Sequence, residues 1–162
     1  MSNIGLEIAL ASRDVTLLRT AVGDKYVLDE LLKTGGSIGG EQSGHVIFPE
    51  KSLVGDGIVT TLFVLKAISE SGKTASENVA GFTRYPQTLV NVRVREKQPF
   101  ESVAPIAAAS RQIEEELDGT GRSLLRYSGT ENLARVMIEG KDQAEIEEKA
   151  NRLADIIMAN LG

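Results

Sequence analysis

A glycine-rich segment in the first half of the chain carries side chains suited to hydroxyl groups. It reads GGEQSGH (Gly39 to His45) and is called the sugar loop below. Its glycines permit tight turns that would present Glu41, Ser43 and His45 on one side. A carboxylate accepts hydrogen bonds and a hydroxyl donates or accepts them, so the pair suits adjacent hydroxyls of a sugar. An exposed glycine turn with a bystander histidine explains the segment equally well. Because His45 is the only histidine, a histidine-rich metal site is excluded.

A second segment, RYSGTE (Arg126 to Glu131) with the strand after it, carries donors suited to an anion. Its hydroxyls, unobstructed backbone N–H and guanidinium groups form what we call the anion cradle: Ser128, Thr130, Gly129, Arg126 and Arg135. Such donors converge on phosphate. Charge-assisted hydrogen bonds contribute about 1.5–3 kcal/mol each, so a few of them would hold a phosphomonoester. The alternative is an ordinary hairpin turn in which Arg126 pairs with Glu131 or Glu139.

Composition narrows the remaining chemistry. The absence of cysteine excludes disulfides, thiolate zinc sites and cysteine nucleophiles, and it fits the cytoplasm. A net charge of -5 argues against nucleic acid as a partner.

The longest apolar run, Ile58 to Ile68, is too short to cross a membrane, so it predicts a buried core helix instead. Ser71 to Thr74 ends like a P-loop but lacks the leading glycine. No Asp-x-Asp pair is present, so a Mg²⁺ loop built from clustered carboxylates is absent, and no Ser/His/Asp arrangement stands out. We therefore expect no metal or cofactor to bind this chain and no catalytic residue within it.

The first half of the chain alternates short helices and strands, a pattern typical of α/β layers. Residues 3–11 form either a helix or a strand. The patterns then predict a strand at Val15–Val22, a helix that Asp24 caps and that runs to about Lys33, a strand–loop–strand at Ser37–Phe48 and an apolar helix from Asp56 to near Gly72. We therefore expect a partial α/β domain at residues 1–80.

The second half follows a linker-like stretch, Gly72 to Gln87, rich in glycine, serine and proline punctuation. Its order is strand, helix, strand, strand, helix, predicted at Thr88–Val94, Phe100–Leu117, Arg122–Arg126, Ala134–Glu139 and Asp142–Leu161. This order predicts an α+β domain, residues 87–162, with a small antiparallel sheet and helices on one face.

Several of these segments resemble the α-D-phosphohexomutases. The similar stretches are VGDKYV (Val22 to Val27), the sugar loop, GDG (Gly55 to Gly57), RYPQ (Arg84 to Gln87), and RYSGTE with RVMIEG (Arg126 to Gly140). The sugar loop and the strand after RYPQ are most similar to the phosphoglucosamine mutase branch. The sequence departs from the family at Tyr127 and Asn132, where proline is usual. Because proline stiffens a turn, we expect a more mobile loop with doubtful phosphate affinity.

Members of that family have four domains, which carry in turn a phosphoserine, a Mg²⁺ loop, a sugar loop and a phosphate loop. The chain is similar to most of the third domain and all of the fourth. The resemblance implies sugar contacts from Glu41 and Ser43, with His45 nearby. It also places a second loop, Gly23, Asp24 and Lys25, at the substrate. The anion cradle would hold the phosphate distant from the reacting end. Mg²⁺ is implied for the full-length enzyme only.

The resemblance implies an isomerase that converts glucosamine 6-phosphate to glucosamine 1-phosphate, to which this chain contributes recognition and no activity alone. The expected partners are a phosphosugar and the missing amino-terminal domains of the same enzyme, with no nucleic acid and no membrane. The opening residues MSNIG are similar to the middle of a family strand, so we expect a part of a longer protein. The alternatives are a stand-alone phosphosugar-binding module, part of a phosphoglucomutase or phosphomannomutase, and a purely structural domain pair.

Overall fold

The computed structural model describes residues 2–162, and the chain divides into two compact units, the first ending at Thr83 and the second beginning at Arg84. The first unit contains helices and one short antiparallel ribbon: α1 (Ile4–Ala11), α2 (Asp24–Thr34), β1 (Gly39–Gly40), β2 (Val46–Ile47), α3 (Gly57–Ser71) and α4 (Ala75–Asn78). Residues 3–11, for which helix and strand were both open, are therefore mainly helical.

Helix α2 positions the sugar loop by packing on the ribbon that carries it. Val27 and Leu31, one turn apart, are buried against Ile47 of β2. The helix was predicted from Asp24, but the cap is Gly23, and no side chain satisfies the first-turn N–H groups there. Asp24 instead lies in the first turn, where its negative charge complements the helix dipole.

The strand predicted at Val15–Val22 is wrong. These residues form no helix or strand, and Val15, Leu18 and Val22 are 48%, 56% and 42% exposed. An alternating sequence becomes a strand only when a neighbouring strand accepts and donates its ladder hydrogen bonds. Among residues 2–162, β1 and β2 pair only with each other, so no described strand offers this segment an edge.

Helix α3 forms where the apolar run predicts it, but the prediction that it is buried is wrong. Asp56 caps it by accepting hydrogen bonds from two first-turn N–H groups at 2.8 and 2.9 Å. No residue of α3 is buried, and Ile58 and Leu62 are 76% and 60% exposed. Phe63 stacks on Phe48 with ring centroids 4.3 Å apart. A largely apolar helix is buried only when other elements cover it, and among residues 2–162 the short elements β2 and α4 leave most of α3 exposed.

The second unit is a three-stranded antiparallel sheet with helices on one face. Its elements are β3 (Gln87–Arg93), a 3₁₀ turn (Phe100–Ser102), α5 (Ala104–Leu117), β4 (Arg122–Tyr127), β5 (Leu133–Glu139) and α6 (Gln143–Leu161). The single helix predicted at Phe100–Leu117 is thus broken. Pro105 lacks an N–H and fits only the first turn of a helix, so α5 begins at Ala104 rather than running on from the 3₁₀ turn.

Strand β5 lies between β3 and β4, and its successive side chains lie on opposite faces of the sheet. Ala134, Val136 and Ile138 join the core formed with α5 and α6. The predicted apolar face of α6 is fully buried in that core: Ile146, Ala150, Leu153, Ile157 and Leu161. The alternate positions of β5, which include Arg135, lie on the sheet face opposite these helices. Among residues 2–162 no helix is long and apolar enough to span a membrane.

Candidate functional site

The two loops of the first unit that carry predicted sugar-binding residues lie together. The Glu41 carboxylate accepts a hydrogen bond from the Gly23 N–H at 2.9 Å. His45 Nδ1 lies 3.7 Å from Asp24 Oδ2, which links the far end of the sugar loop to the first turn of α2. Lys25 is exposed on the same turn. Gly23 has φ +132°, a conformation that side chains rarely adopt, so glycine is required where the two loops meet.

The sugar loop is itself a tight turn between β1 and β2. The Glu41 N–H donates to the His45 carbonyl at 3.0 Å, and the Gly44 N–H donates to the Glu41 carbonyl at 3.1 Å. A Cβ on Gly40 would lie 2.7 Å from the His45 carbonyl oxygen, so a larger residue would force the turn open. Glu41 is half-buried while Ser43 and His45 are exposed. The loop therefore holds one fixed carboxylate and presents polar groups to solvent.

Ser43, His45 and Asp24 do not form a catalytic triad. The Ser43 hydroxyl lies 3.2 Å from Nδ1 of His45, and the Asp24 carboxylate approaches the same nitrogen. A triad places its serine and its aspartate on opposite ring nitrogens, so that one nitrogen accepts the serine proton while the other keeps its N–H bonded to the aspartate. The three side chains suit hydrogen bonding to a polar ligand rather than nucleophilic attack.

The anion cradle of the second unit is built on a pair of like charges. Arg126 of β4 stands directly opposite Arg135 of β5, an arrangement that destabilises a sheet unless something neutralises it. Arg122, not Arg126, pairs with the buried Glu139 at 2.8 Å. Glu131 lies 3.7 Å from Arg135. Arg126 makes no ion pair within residues 2–162, so the pairing with Glu131 or Glu139 that the hairpin alternative gave it is absent, although β4 and β5 do form a hairpin.

The turn of the cradle is organised around a buried hydroxyl. Ser128 is 3% exposed, and its Oγ accepts from the Glu131 N–H at 3.3 Å and from Arg135 Nη2 at 3.4 Å. Gly129 and Thr130 are exposed at the tip. The Nε of Arg135 is buried without a hydrogen-bond partner. A buried donor left unpaired costs free energy, so Arg135 is held in this position at some cost to stability.

One cation of this site escaped the sequence analysis. Lys97, in the segment after β3, donates from Nζ to the Ser128 carbonyl at 2.7 Å across 31 positions of sequence. A lone lysine after a strand is usually a solvated side chain, so no local pattern marks it. Only the sheet order, which brings the end of β3 beside the turn that joins β4 to β5, reveals it. With Arg126 and Arg135 it gives this end of the unit three cations.

Neither region suits a magnesium ion. Within residues 2–162 there is no cluster of three or more histidine, aspartate or glutamate side chains able to hold a metal. Mg²⁺ prefers several oxygen ligands, whereas the cradle is cationic and the Glu41 carboxylate is already bound to backbone. The chemistry available to the described residues is the recognition of hydroxyls and of an anion.

Two family profiles match the chain in succession. The profile described as phosphoglucomutase/phosphomannomutase, alpha/beta/alpha domain III, matches residues 1–85. The profile described as phosphoglucomutase/phosphomannomutase, C-terminal domain, matches residues 89–156. Between them they account for nearly the whole chain.

Curated relatives include the phosphoglucosamine mutases of Syntrophotalea carbinolica and Solibacter usitatus, 47% and 46% identical over the whole of this chain. The chain covers 35% and 36% of those proteins, so it spans about a third of their length.

Solved structures show the same fold. An N-acetylphosphoglucosamine mutase of Aspergillus fumigatus matches with a TM-score of 0.73 at 22% identity, over 98% of this chain and 36% of that chain. A structure of the Aspergillus fumigatus enzyme in complex with GlcNAc-6P and magnesium matches 66% of this chain and 22% of that chain, at 29% identity with a TM-score of 0.51. The consecutive matches to two domain profiles show that this chain belongs to the phosphoglucomutase/phosphomannomutase family.

Proposed function

We propose that this chain supplies the sugar and phosphate recognition of a phosphoglucosamine mutase, which converts glucosamine 6-phosphate to glucosamine 1-phosphate by intramolecular phosphate transfer. The names of the relatives and their identity over the whole chain support this branch of the family. The observation that carries the proposal is the like-charge pair Arg126 and Arg135 beside a turn of hydroxyls, in which Arg135 has one long ion pair to Glu131 and Arg126 has none within residues 2–162. Such a group of donors stabilises a phosphate dianion and costs stability when it stands empty.

The two units divide the recognition between them in this proposal. Residues 1–80 form the sugar-binding domain, with Glu41 and Ser43 on the hydroxyls and Gly23, Asp24, Lys25 and His45 around them. Residues 87–162 form the phosphate-binding domain, in which the cradle holds whichever phosphate is not reacting. The hydroxyls lie between the two phosphate positions of the substrate, so one set of contacts serves both orientations. Catalysis by this chain is therefore positioning and electrostatic stabilisation.

The reacting groups come from outside this chain. The phosphoserine and the Mg²⁺ loop belong to the remaining part of a longer polypeptide, which the covered third of the relatives' length supports. Magnesium is present in the structure of the Aspergillus fumigatus enzyme, and when bound in the full-length protein it would neutralise charge on the transferring phosphoryl group. The recognition residues of this chain hold the other end of the substrate meanwhile.

The exposed apolar surface of the first unit supports the same remaining polypeptide as partner. Helix α3 has no buried residue, and residues 15–22 have a strand-like sequence without a strand neighbour. Both features are typical of a layer whose sheet is incomplete, and the profile matched by residues 1–85 is an alpha/beta/alpha domain.

Ligand titration of the chain tests this function. Glucosamine 6-phosphate should shift amide resonances at both the cradle and the sugar loop, and inorganic phosphate should shift only those at the cradle. Glucose 6-phosphate and mannose 6-phosphate should bind more weakly, which would separate this branch from the phosphoglucomutases and phosphomannomutases. With Mg²⁺ and a bisphosphate activator the chain alone should leave glucosamine 6-phosphate unconverted. Absence of shifts at both sites, or turnover by rigorously purified chain, would overturn the proposal.

A further inference from the structure

The turn of the anion cradle is held by contacts of Tyr127 on the helix side of the sheet. The Tyr127 hydroxyl donates to the Gln98 carbonyl at 2.6 Å. Its ring stacks on Phe100 with centroids 4.1 Å apart and an interplanar angle of 18°. Both partners belong to the segment between β3 and α5, so Tyr127 joins two parts of the unit that are far apart in sequence.

Because strand side chains alternate between faces, the contacts of Tyr127 lie on the sheet face opposite the one that carries the anion-binding side chains. Tyr127 packs against the core on the helix side of the sheet, whereas its neighbours Arg126 and Ser128 lie on the opposite face. The tyrosine therefore restrains the backbone of the turn without occupying the space where an anion would sit.

Lys97 adds a second tie from the same segment. Its Nζ donates to the Ser128 carbonyl at 2.7 Å, one residue beyond Tyr127. The three residues Lys97, Gln98 and Phe100 thus contact two consecutive residues at the start of the turn. Fixing both peptide units reduces the conformations that the turn explores when no ligand is bound.

We propose that Tyr127, assisted by Lys97, is a positioning residue that holds the turn from Ser128 to Glu131 in its anion-binding shape. The inference rests on the proposed function for the identity of the ligand. It reverses the expectation that losing proline leaves this loop loose. The turn is stiffened by contacts with a segment distant in the sequence instead of by the fixed φ angle of a proline.

The tyrosine suits this role over the whole physiological range. Burial raises the pKa of the Tyr127 hydroxyl above its ordinary value, and the nearby carboxylates of Glu101 and Glu96 raise it further. The hydroxyl therefore stays protonated, and it keeps donating to Gln98 at and above neutral pH.

The ladder also shows that proline at this position would cost no hydrogen bond to β5. The Ser128 N–H donates to the Leu133 carbonyl at 2.8 Å, so residues 128 and 133 form a hydrogen-bonded pair. By alternation the Tyr127 N–H points away from β5. Because β4 is an edge strand among residues 2–162, no described strand lies beyond that N–H. Tyr127→Pro thus replaces one means of stiffening the turn with another.

The test compares inorganic phosphate affinity and amide hydrogen exchange in four variants of the chain. Tyr127→Phe keeps the stacked ring and loses the bond to Gln98, so it should weaken phosphate binding about two- to tenfold. It should also speed exchange of the Ser128 and Glu131 amides, whose N–H groups are hydrogen-bonded in the turn. Tyr127→Pro should bind phosphate within about twofold of the wild type. Lys97→Met should weaken binding roughly three- to tenfold, through the lost tie and the lost charge.

Matched controls separate a local effect from a general one. Tyr26→Phe removes an exposed hydroxyl from the first unit, and it should leave phosphate affinity unchanged. The melting temperature of Tyr127→Phe should stay close to that of the wild type, since its core packing is retained. Faster exchange throughout the second unit, or Tyr127→Pro binding as poorly as Tyr127→Phe, would show that the tyrosine serves overall stability instead.

The results also separate this inference from the proposed function. If the wild type binds phosphate and Tyr127→Phe matches it in both affinity and exchange, the positioning role is wrong and the function stands. If the wild type binds no phosphate, the function is wrong. Exchange at the hydrogen-bonded amides of Ser128 and Glu131 still decides the tie in that case: unchanged rates in Tyr127→Phe refute it, and faster rates retain it as a purely conformational restraint.

Discussion

Replacing Arg126 by methionine should change phosphate affinity and stability in opposite directions. The substitution removes the charge and the N–H donors while keeping an apolar stem of similar length. In the unliganded protein Arg126 faces Arg135 across the sheet and has no ion-pair partner within residues 2–162. A residue kept for folding should stabilise the empty protein, whereas a residue kept for a ligand should stabilise only the complex.

The magnitudes follow from these contacts. Charge-assisted hydrogen bonds contribute about 1.5–3 kcal/mol, so phosphate affinity should fall roughly ten- to a hundredfold. Like charges directly opposite each other destabilise a sheet by roughly 0.2–1 kcal/mol, so the free energy of unfolding without phosphate should rise by about that amount. The stability gain should shrink at high salt, since both guanidinium groups are only partly buried.

Two measurements on the same samples check this. Phosphate titration followed by amide resonances gives the dissociation constant, and urea unfolding in a phosphate-free buffer of low ionic strength gives the stability. Arg111→Met, on an exposed position of α5, is the matched control for loss of one positive charge and should change neither quantity appreciably. Arg126→Lys should recover only part of the affinity, because an ammonium group cannot reproduce the planar fork of donors.

Either half of the result can refute the reasoning. Phosphate binding by Arg126→Met at wild-type strength would remove Arg126 from the cradle. A fall in the free energy of unfolding of more than about 1 kcal/mol in the absence of phosphate would show that the arginine serves the fold. Removal of a like-charge pair should raise this free energy, so a fall of that size has the opposite sign to the prediction.

Three further outcomes are expected. Lys149 holds the pKa of Glu116 down to about 2 from its ordinary value of 4.5, so this contact stabilises the fold fully above about pH 4.5 and is lost as the pH falls towards 2. Glu116→Gln should therefore flatten the dependence of the melting temperature on pH between about 4.5 and 2. An unchanged dependence would contradict this. Glu41→Ala removes the acceptor of the Gly23 N–H and should speed exchange of that amide about tenfold, which hydrogen exchange by NMR can check against unaffected second-unit amides. Asp142→Ala removes the cap of α6 and should lower the unfolding free energy by about 0.5–2 kcal/mol in urea, whereas Asp142→Asn should retain most of it.

Local sequence pattern predicted the helices and strands correctly where their partners lie within the same unit. The five apolar positions of α6 follow the helical period and are buried as expected: Ile146, Ala150, Leu153, Ile157 and Leu161. The strands β3, β4 and β5 also lie where alternation predicts them, within a residue or two at each end. These elements meet a complete core within the second unit, so propensity, pattern and packing agree.

Pattern failed where the missing information was a neighbour. Residues 15–22 alternate like a strand, yet no described strand pairs with them. The apolar run of α3 forms a helix, but its burial depends on surfaces beyond those that the described residues provide. A strand ladder and a buried face are properties of two elements, so a single segment cannot establish them.

The sequence by itself determined which residues could recognise hydroxyls and phosphate, because side-chain chemistry and glycine spacing are local properties. Only the tertiary structure decided how they meet. It paired Glu41 with the Gly23 N–H, set Arg126 opposite Arg135, and brought Lys97 to the Ser128 carbonyl. Each of these contacts joins residues 9 to 31 positions apart. Strand register and sheet order determine such distances, and both depend on how the whole unit packs.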